Sequence, residues 1–350
     1  MTERLTRLLG TELPIVLGPF GGLSSVELTA TVSNGGGLGS YGLYGYTADR
    51  IRDTDALLRA ATDRPYALNL WLPTGTERDP SPAEFAQARA AVAKFFAELE
   101  LPLPQPPDRY LQSFDEQIET ALELAPSAIS FVYGVPPANV IVRAHENGTT
   151  VIGTATTVDE AIALQAGGVD AIVATGAEAA GHRVSFLEPA EQSLVGTFAL
   201  IPQVVDAVTV PVIAAGGIAD RRGVAAAFAL GADGVQVGTA FLRTRQSAAN
   251  DAHRQAITHT PAHGTVLTTA MSGRLARGAA NRATRTIQSA DAIAPFPAQN
   301  WLTGQFRAQA NKRDLGELQS LWLGQASPLA HHEDAEFLLA ELKAGIGAQP

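Results

Sequence analysis

Two kinds of residue in this chain could do chemistry: glycines that end apolar runs, and one histidine in a glycine-rich loop. The run Val212–Ala215 breaks at Gly216-Gly217, an alanine-rich stretch continues to Gly231, and a second run, Gly234–Val237, breaks at Gly238-Thr239. Two apolar strands joined by a helix predict a parallel unit, because a parallel pair needs a crossover of about a dozen residues. Glycines at neighbouring C-terminal strand ends leave bare N–H groups facing one space, and a following helix N-terminus adds partial positive charge there. A lone Gly-Gly would be read as a tight turn. Two such breaks one strand apart, with Gln236 and Thr239 beside the second, are read as a phosphate seat.

The histidine is His182, in the stretch ATGAEAAGHRVSF that follows the run ending near Ala174. An imidazole among glycine, amide and hydroxyl groups is a candidate base near neutral pH; the plainer reading is a loop histidine bonded to Glu178. Other chemistries lack their groups. The only lysines, Lys94, Lys312 and Lys343, lie away from strand ends, so no amine is placed for a Schiff base. No pair of strand-end carboxylates has glycosidase character. His253, His259 and His263 straddle Pro261 without an acidic partner, and His331-His332 fall on a turn, so no metal site is expected. With no cysteine, disulfides, thiolate nucleophiles and Cys-ligated metals are excluded. A phosphate seat and one base, with no other reactive group, point to a bound cofactor.

These groups need a frame that brings strand ends together. Short apolar runs at 13–19, 38–41, 66–70, 128–133, 150–154 and 171–174 predict six strands ahead of the two glycine-ended ones. Ser24 or Ser25 caps the first intervening helix, glycines 35 to 37 stop it, and Thr157-Val-Asp-Glu160 reads as a capping box. SNGGGLGSYG, QAGGVDAIVATG and LGADGVQVGTAF repeat one passage from helix end through glycine into a strand. The predicted fold is α/β, a (β/α)8 TIM barrel with a second, smaller α/β domain, in which reactive groups sit at C-terminal strand ends. An open doubly wound sheet would want an acidic residue about twenty positions beyond a glycine fingerprint, and GPFGGL lacks it. Residues 1–242 are assigned to the barrel, with a helical excursion at 73–126 that is a candidate lobe or lid. A hairpin within 262–282 marks a substrate-side domain at 243–310, and C-terminal helices at 311–350 pack back on the barrel. One of these, from residue 334 to 342, is expected to bury Phe337, Leu338 and Leu342, and the tail beyond Gly345 to fray.

Composition narrows the partners. The 350 residues are 46% hydrophobic and 17% charged, with a net charge of −10 and no basic run, so nucleic acid is not expected. The first fourteen residues carry charges where a signal peptide would be apolar, and the most apolar long run, 195–219, is broken by Pro202, Asp206, Pro211 and the Gly pair. A cytoplasmic protein without a membrane span is the expectation, with a homo-oligomer left open.

Taken together these stretches resemble the nitronate monooxygenase family, formerly 2-nitropropane dioxygenases. The resemblance runs through PIVLGPFGGLSSVELTATVSNGGGLGSYG, Asn69, GAEAAGHR, PVIAAGGI and GADGVQVGTAFL, and on through SGRLARGAANR (272–282), QNWLTG (299–304) and SLWLGQ (320–325). It implies an FMN-dependent TIM barrel that oxidises alkyl nitronates, or nitroalkanes, with O2 to a carbonyl compound and nitrite. By the same resemblance the FMN phosphate lies on the backbone of Gly216, Gly217, Val237, Gly238 and Thr239. Asn69, Thr175, Ala180, Gly181 and Gln236 flank the flavin and its ribityl chain, Pro19, Phe20 and Gly21 form a wall beside the ring, and His182 faces the substrate. The chain departs from the family pattern at Thr175, where glutamine is usual, at Ala180, where glycine is, and at Gly18-Pro19-Phe20, commonly Ala-Pro-Met. It has no tyrosine after Tyr133; Gln299, Thr303 and Arg307 share the late helix face where some relatives place tyrosines and a lysine. The alternatives are an FMN enoyl-thioester reductase using NAD(P)H, and a flavin-binding barrel without turnover.

Overall fold

The computed structural model describes residues 2–347. Six strands come first: β1 (Ile15–Leu17), β2 (Gly39–Gly42), β3 (Tyr66–Trp71), β4 (Ala128–Val132), β5 (Thr150–Ala155) and β6 (Ala171–Thr175). A two-residue strand, β7 (Gly181–His182), interrupts the series before β8 (Val212–Ala215) and β9 (Gly234–Val237). Apart from β7 they form one parallel sheet in the order β1-β9-β8-β6-β5-β4-β3-β2. The Leu17 N–H donates to the Leu38 carbonyl and the Leu38 N–H to the Ile15 carbonyl, each at 2.9 Å, which joins β1 to β2 and closes the barrel. The eight strands expected from the apolar runs are all present.

Strand periodicity of two sorts the side chains. Ile129 and Phe131 face the helices, whereas Val16, Ala67, Ala128, Ile152, Ala171 and Ile213 meet inside the barrel. A helix not foreseen from the sequence, Thr2–Leu9, closes the lower end: Leu5 and Leu9 are buried against these small residues, and Leu5 lies so close to Gly234 that no Cβ would fit there. Two positions higher, or four in β6, the same inward face turns polar at Asn69, Ser130, Thr154 and Thr175, which line the mouth. A dry floor and a hydrogen-bonding rim thus come from one alternation.

A second core sits beside the mouth. Helix Pro82–Glu98 starts at a capping box made by Ser81 and Glu84, with Pro82 in the first turn. It buries Phe85, Val92, Phe95 and Phe96 against Ile287, Leu302 and Phe306 of helices Arg282–Ala290 and Ala298–Lys312. Part of the 73–126 excursion therefore shares a core with residues from the 243–310 segment, while its other helix, Phe114–Leu124, returns Ile118, Ala121 and Leu122 to the barrel core. β10 (Thr265–Thr268) and β11 (Ala276–Ala279) form the hairpin, and β7 adds to it, with His182 opposite Ala276. Helix Ala335–Lys343 packs on helices Val26–Asn34 and Arg221–Ala229 of the barrel.

Several local expectations need correction. Phe337 is 70% exposed, because the buried stripe is Ala335, Leu338, Leu339 and Leu342, spaced three and four apart, and Phe337 falls outside it. Glu160 does not complete a capping box. Thr157 does cap the Glu160 N–H, but the Glu160 carboxylate is fully buried and accepts from Thr156 N and Oγ1 (2.6 and 2.7 Å) and from Phe186 N (2.6 Å). The chain just beyond Gly345 is close-packed rather than frayed: a Cβ on Gly345 would strike the Arg221 carbonyl oxygen, and Ile346 joins the barrel core. Residues 348–350 lie outside the described part.

Candidate active site

A cavity of about 560 Å³ opens at the C-terminal ends of the barrel strands, a size suited to a bound cofactor and a small ligand. Of the residues singled out from the sequence, Pro19, Phe20, Gly21, Asn69, Thr175, Ala180, Gly181, His182, Gly216, Gly217, Gln236, Gly238 and Thr239 all line it. Val237 does not; its side chain is buried between strand and helix layers, leaving only its backbone near the mouth. Near the end of β2, Tyr41 turns away to pair its hydroxyl with that of Tyr46 at 3.1 Å. Tyr44, three residues on, takes the place in the cavity wall.

One side of the cavity is made of backbone. Gly216 and Gly217 have φ of +94° and +75°, the left-handed region that costs L side chains 1–2 kcal/mol or so. At Gly216 a Cβ would also crowd the Gly176 carbonyl. Across from them, a Cβ on Gly18 would press on the Gly238 Cα at 3.0 Å. The N–H groups of Gly217, Ile218 and Gly238 have no acceptor among the described residues, as a seat for phosphate oxygens requires. Of the two helices that follow the glycine breaks, Thr239–Leu242 starts at Gly238 with no side-chain cap, whereas the N-terminus of Arg221–Ala229 is already satisfied. Asp220 caps that end by accepting from Arg222 N (2.9 Å) and Gly223 N (3.3 Å), so on that side the seat is the turn itself. Phe20 borders this side, 3.7 Å from where a Gly238 Cβ would stand. The segment around Gly324 crosses above: its N–H donates to Thr239 Oγ1 (3.0 Å), and the Gln325 N–H donates to the Glu178 carbonyl (2.9 Å).

The opposite side is made of side chains. His182 Nε2 lies 2.8 Å from Ser272 Oγ, and its ring stands edge-on to Trp71 (5.0 Å) and tilted to Trp322 (5.5 Å). Glu178 is not its partner, for that carboxylate accepts from Thr197 N and Oγ1. Burial, assisted by the Arg274 and Arg307 cations, pushes the imidazole down to about 3, so His182 is neutral and weakly basic. The direction is away from the near-neutral range expected of a loop histidine. The loop carrying it is held from below. Arg183 donates to the Thr175 and Gly176 carbonyls (3.0 and 2.8 Å), Arg277 donates to the Ala177 carbonyl (2.8 Å), and Glu160 grips Phe186 and Leu187.

Of this wall the sequence reading named His182 and Arg307 but missed Arg274 and Tyr44. Arg274 stacks on Tyr133 and Phe296 (4.2 and 3.8 Å) and pairs with Glu77 at 2.5 Å. Tyr44 OH accepts from Asn300 Nδ2 (2.8 Å), and burial raises its pKa to about 12. Arg307 is pushed down to about 10 by burial. The missed signals were Tyr44, two residues past β2, Trp71, the last residue of β3, and Arg274 in the turn between β10 and β11. Gln299 and Thr303, by contrast, are buried and bond the Ala270 and Met271 carbonyls, so they brace the lobe. His253 is buried with Nε2 2.9 Å from the Trp322 carbonyl. Among the described residues no cluster of His, Asp or Glu could hold a metal ion, and no helix is long and apolar enough to cross a membrane.

Solved structures share this fold. A nitroalkane oxidase from Streptomyces ansochromogenes is similar with a TM-score of 0.89 at 35% identity, over 98% of this chain and 97% of that one. FabK from Thermotoga maritima is similar with a TM-score of 0.75 at 29% identity, over 98% and 95%. Fold and site define an oxidoreductase on a TIM-barrel frame. A family model described as nitronate monooxygenase matches residues 2–345. A probable nitronate monooxygenase of Staphylococcus saprophyticus is 38% identical, and one of Staphylococcus aureus 39% identical, each over 342 residues covering 97% of this chain and 96% of the relative. The chain belongs to the nitronate monooxygenase family. A flavin cofactor is what that family implies, and the glycine seat with its unpaired N–H groups fits a flavin nucleotide's phosphate.

Proposed function

We propose that the protein is an FMN-dependent enzyme that oxidises alkyl nitronates with O2 to a carbonyl compound and nitrite, and that it takes the preformed anion in preference to the neutral nitroalkane. In overall balance, two nitronates and one O2 yield two carbonyl compounds and two nitrite ions. The observation that carries the preference is the electrostatics of the wall: His182 is held neutral and weakly basic while the Arg307 guanidinium lines the same cavity. A base with so low a pKa removes a carbon-bound proton poorly, whereas an anion needs no deprotonation and gains from that cation.

The backbone of Gly216, Gly217, Val237, Gly238 and Thr239 would hold the phosphate. Asn69, Thr175, Ala180, Gly181 and Gln236 would flank the ribityl chain and ring, with Pro19, Phe20 and Gly21 alongside. Bound FMN would supply the one-electron chemistry that couples nitronate to O2. Around it, Trp71, Trp322 and Tyr44 exclude water, and His182, fixed by Ser272, orients the substrate. A bound anion raises the imidazole pKa, so His182 can hold a proton in the complex that it does not hold in the free protein.

The test is oxygen uptake with nitrite release by yellow protein given ethyl nitronate and no nicotinamide cofactor. Uptake coupled to nitrite, at a kcat/KM above that for nitroethane, is the expected result. No uptake, with NADPH oxidised by an enoyl thioester instead, would replace this reading with the reductase.

A further inference from the structure

A half-buried cation lining the cavity has no counter-charge among the described residues. The five N–H groups of a guanidinium leave none to spare when buried, yet Arg307 has acceptors for only part of its set. Nη1 donates to Ser320 Oγ (2.7 Å), and Nη2 donates to the Asn300 carbonyl (3.0 Å) and Asn300 Oδ1 (2.7 Å). The buried Nε has no partner, and no carboxylate lies within ion-pairing distance among the described residues. Arg274, close by, shows the ordinary solution, an ion pair with Glu77. Arg183 and Arg277 show another, with guanidiniums directed at the main-chain carbonyls of residues 175 to 177.

Tyr44 provides a second unused donor. Its oxygen already accepts from Asn300 Nδ2, so its own O–H proton is left to donate, and no acceptor for it exists among the described residues. Asn300 is thereby shared between Arg307 and Tyr44, and all three line the cavity. A desolvated cation without a counter-ion is costly, and a ligand that brings one negative charge removes that cost while a neutral ligand leaves it.

We infer that Arg307, together with the Tyr44 hydroxyl, is the anion anchor of the substrate compartment and the residue that makes the site choose nitronate over nitroalkane. This rests on the nitronate reading above and extends it by naming where the charge is sensed. Arg307 is a specificity residue; it moves no proton. The same anchor receives nitrite, the anionic product, so nitrite competes with nitronate.

The experiment uses the flavin-loaded enzyme and its Arg307→Met and Arg307→Lys variants, each verified as yellow. Sodium nitrate, a planar oxyanion that the enzyme does not consume, serves as the binding probe and is followed by perturbation of the flavin spectrum and by calorimetry. Ethyl nitronate and nitroethane are then compared in steady state. The wild type is expected to bind nitrate. Arg307→Met should weaken that binding about tenfold or more, as loss of a charge-assisted contact does, and lower the ratio of kcat/KM for nitronate over nitroalkane by a similar factor, mainly through KM. Arg307→Lys keeps the charge and should restore part of both. Nitrate binding unchanged in the Met variant, equal losses on both substrates, or Lys and Met variants that behave alike would each overturn the anchor. Arg307-dependent nitrate binding without nitronate turnover would keep the anchor and remove the nitronate function.

Discussion

The two sides of the cavity recognise their ligands by opposite means. At the β8 and β9 ends the surface is main chain: Gly216, Gly217 and Gly238 present N–H groups and carry no titratable atom. On the lobe side it is side chain: His182, Tyr44 and Arg307 are set by Ser272, Asn300 and Ser320. A backbone seat is indifferent to pH and, at the left-handed Gly216 and Gly217, intolerant of added side chains. A side-chain wall can be retuned by single substitutions, and its properties depend on burial. On the proposed reading the constant phosphate would meet the first and the variable substrate the second.

The largest effect expected is at the seat. Gly238 has φ of −108°, which any residue adopts, and room for a Cβ, so Gly238→Asp should fold while placing a carboxylate against the phosphate. At contact distance the repulsion is on the order of 4 kcal/mol, and the purified protein should be colourless. Yellow Gly238→Asp would move the phosphate elsewhere. Next comes the wall. His182→Asn should keep the flavin and lower the already weak activity on neutral nitroalkanes by about tenfold, less than the ~10²-fold or more of a base matched to neutral pH, with nitronate activity changed far less. Equal loss on both substrates would make His182 a general binding residue.

A third substitution tests the support between the two sides. Glu160→Ala strands Thr156, Phe186 and Leu187 donors in a buried site, at a cost of about 3 kcal/mol. The thermal midpoint should fall by several degrees; an unchanged midpoint would mean that the loop relaxes freely. The smallest effect concerns acid. His182 and His253 are held down to about 3 and about 4, against 6.5 for a free imidazole. Between pH 6.5 and 4 the unfolded chain binds these protons and the folded chain does not, so their contribution is favourable above pH 6.5 and stability falls as pH is lowered. Each group accounts for about 1.4 kcal/mol per pH unit at most. Urea midpoints at pH 7 and 5 should therefore converge in His182→Asn relative to wild type. An identical pH loss in both proteins would show that His182 titrates normally.

How much of this was legible depends on range. Every barrel strand was readable because strand alternation and glycine breaks are properties of five or six consecutive residues, and so was the ring of Asn69, Thr175 and Gln236 at the rim. The helix Thr2–Leu9 escaped notice because its charges masked the Leu5 and Leu9 stripe. Phe337 was placed inward because a three-residue apolar run leaves the facing direction open until a partner surface fixes it.

What the sequence determined by itself was therefore the frame and the backbone seat: periodicity sets which residues face inward, and only glycine accepts the left-handed turn at 216–217. The tertiary structure alone decided the wall. Ser272 reaches His182 across 90 residues, Glu77 meets Arg274 across 197, and Asn300 meets Tyr44 across 256. No local pattern encodes those meetings. Nor does any local pattern encode the burial that holds His182 neutral and leaves Arg307 without a counter-ion, because desolvation is set by everything packed around a group and not by its neighbours along the chain.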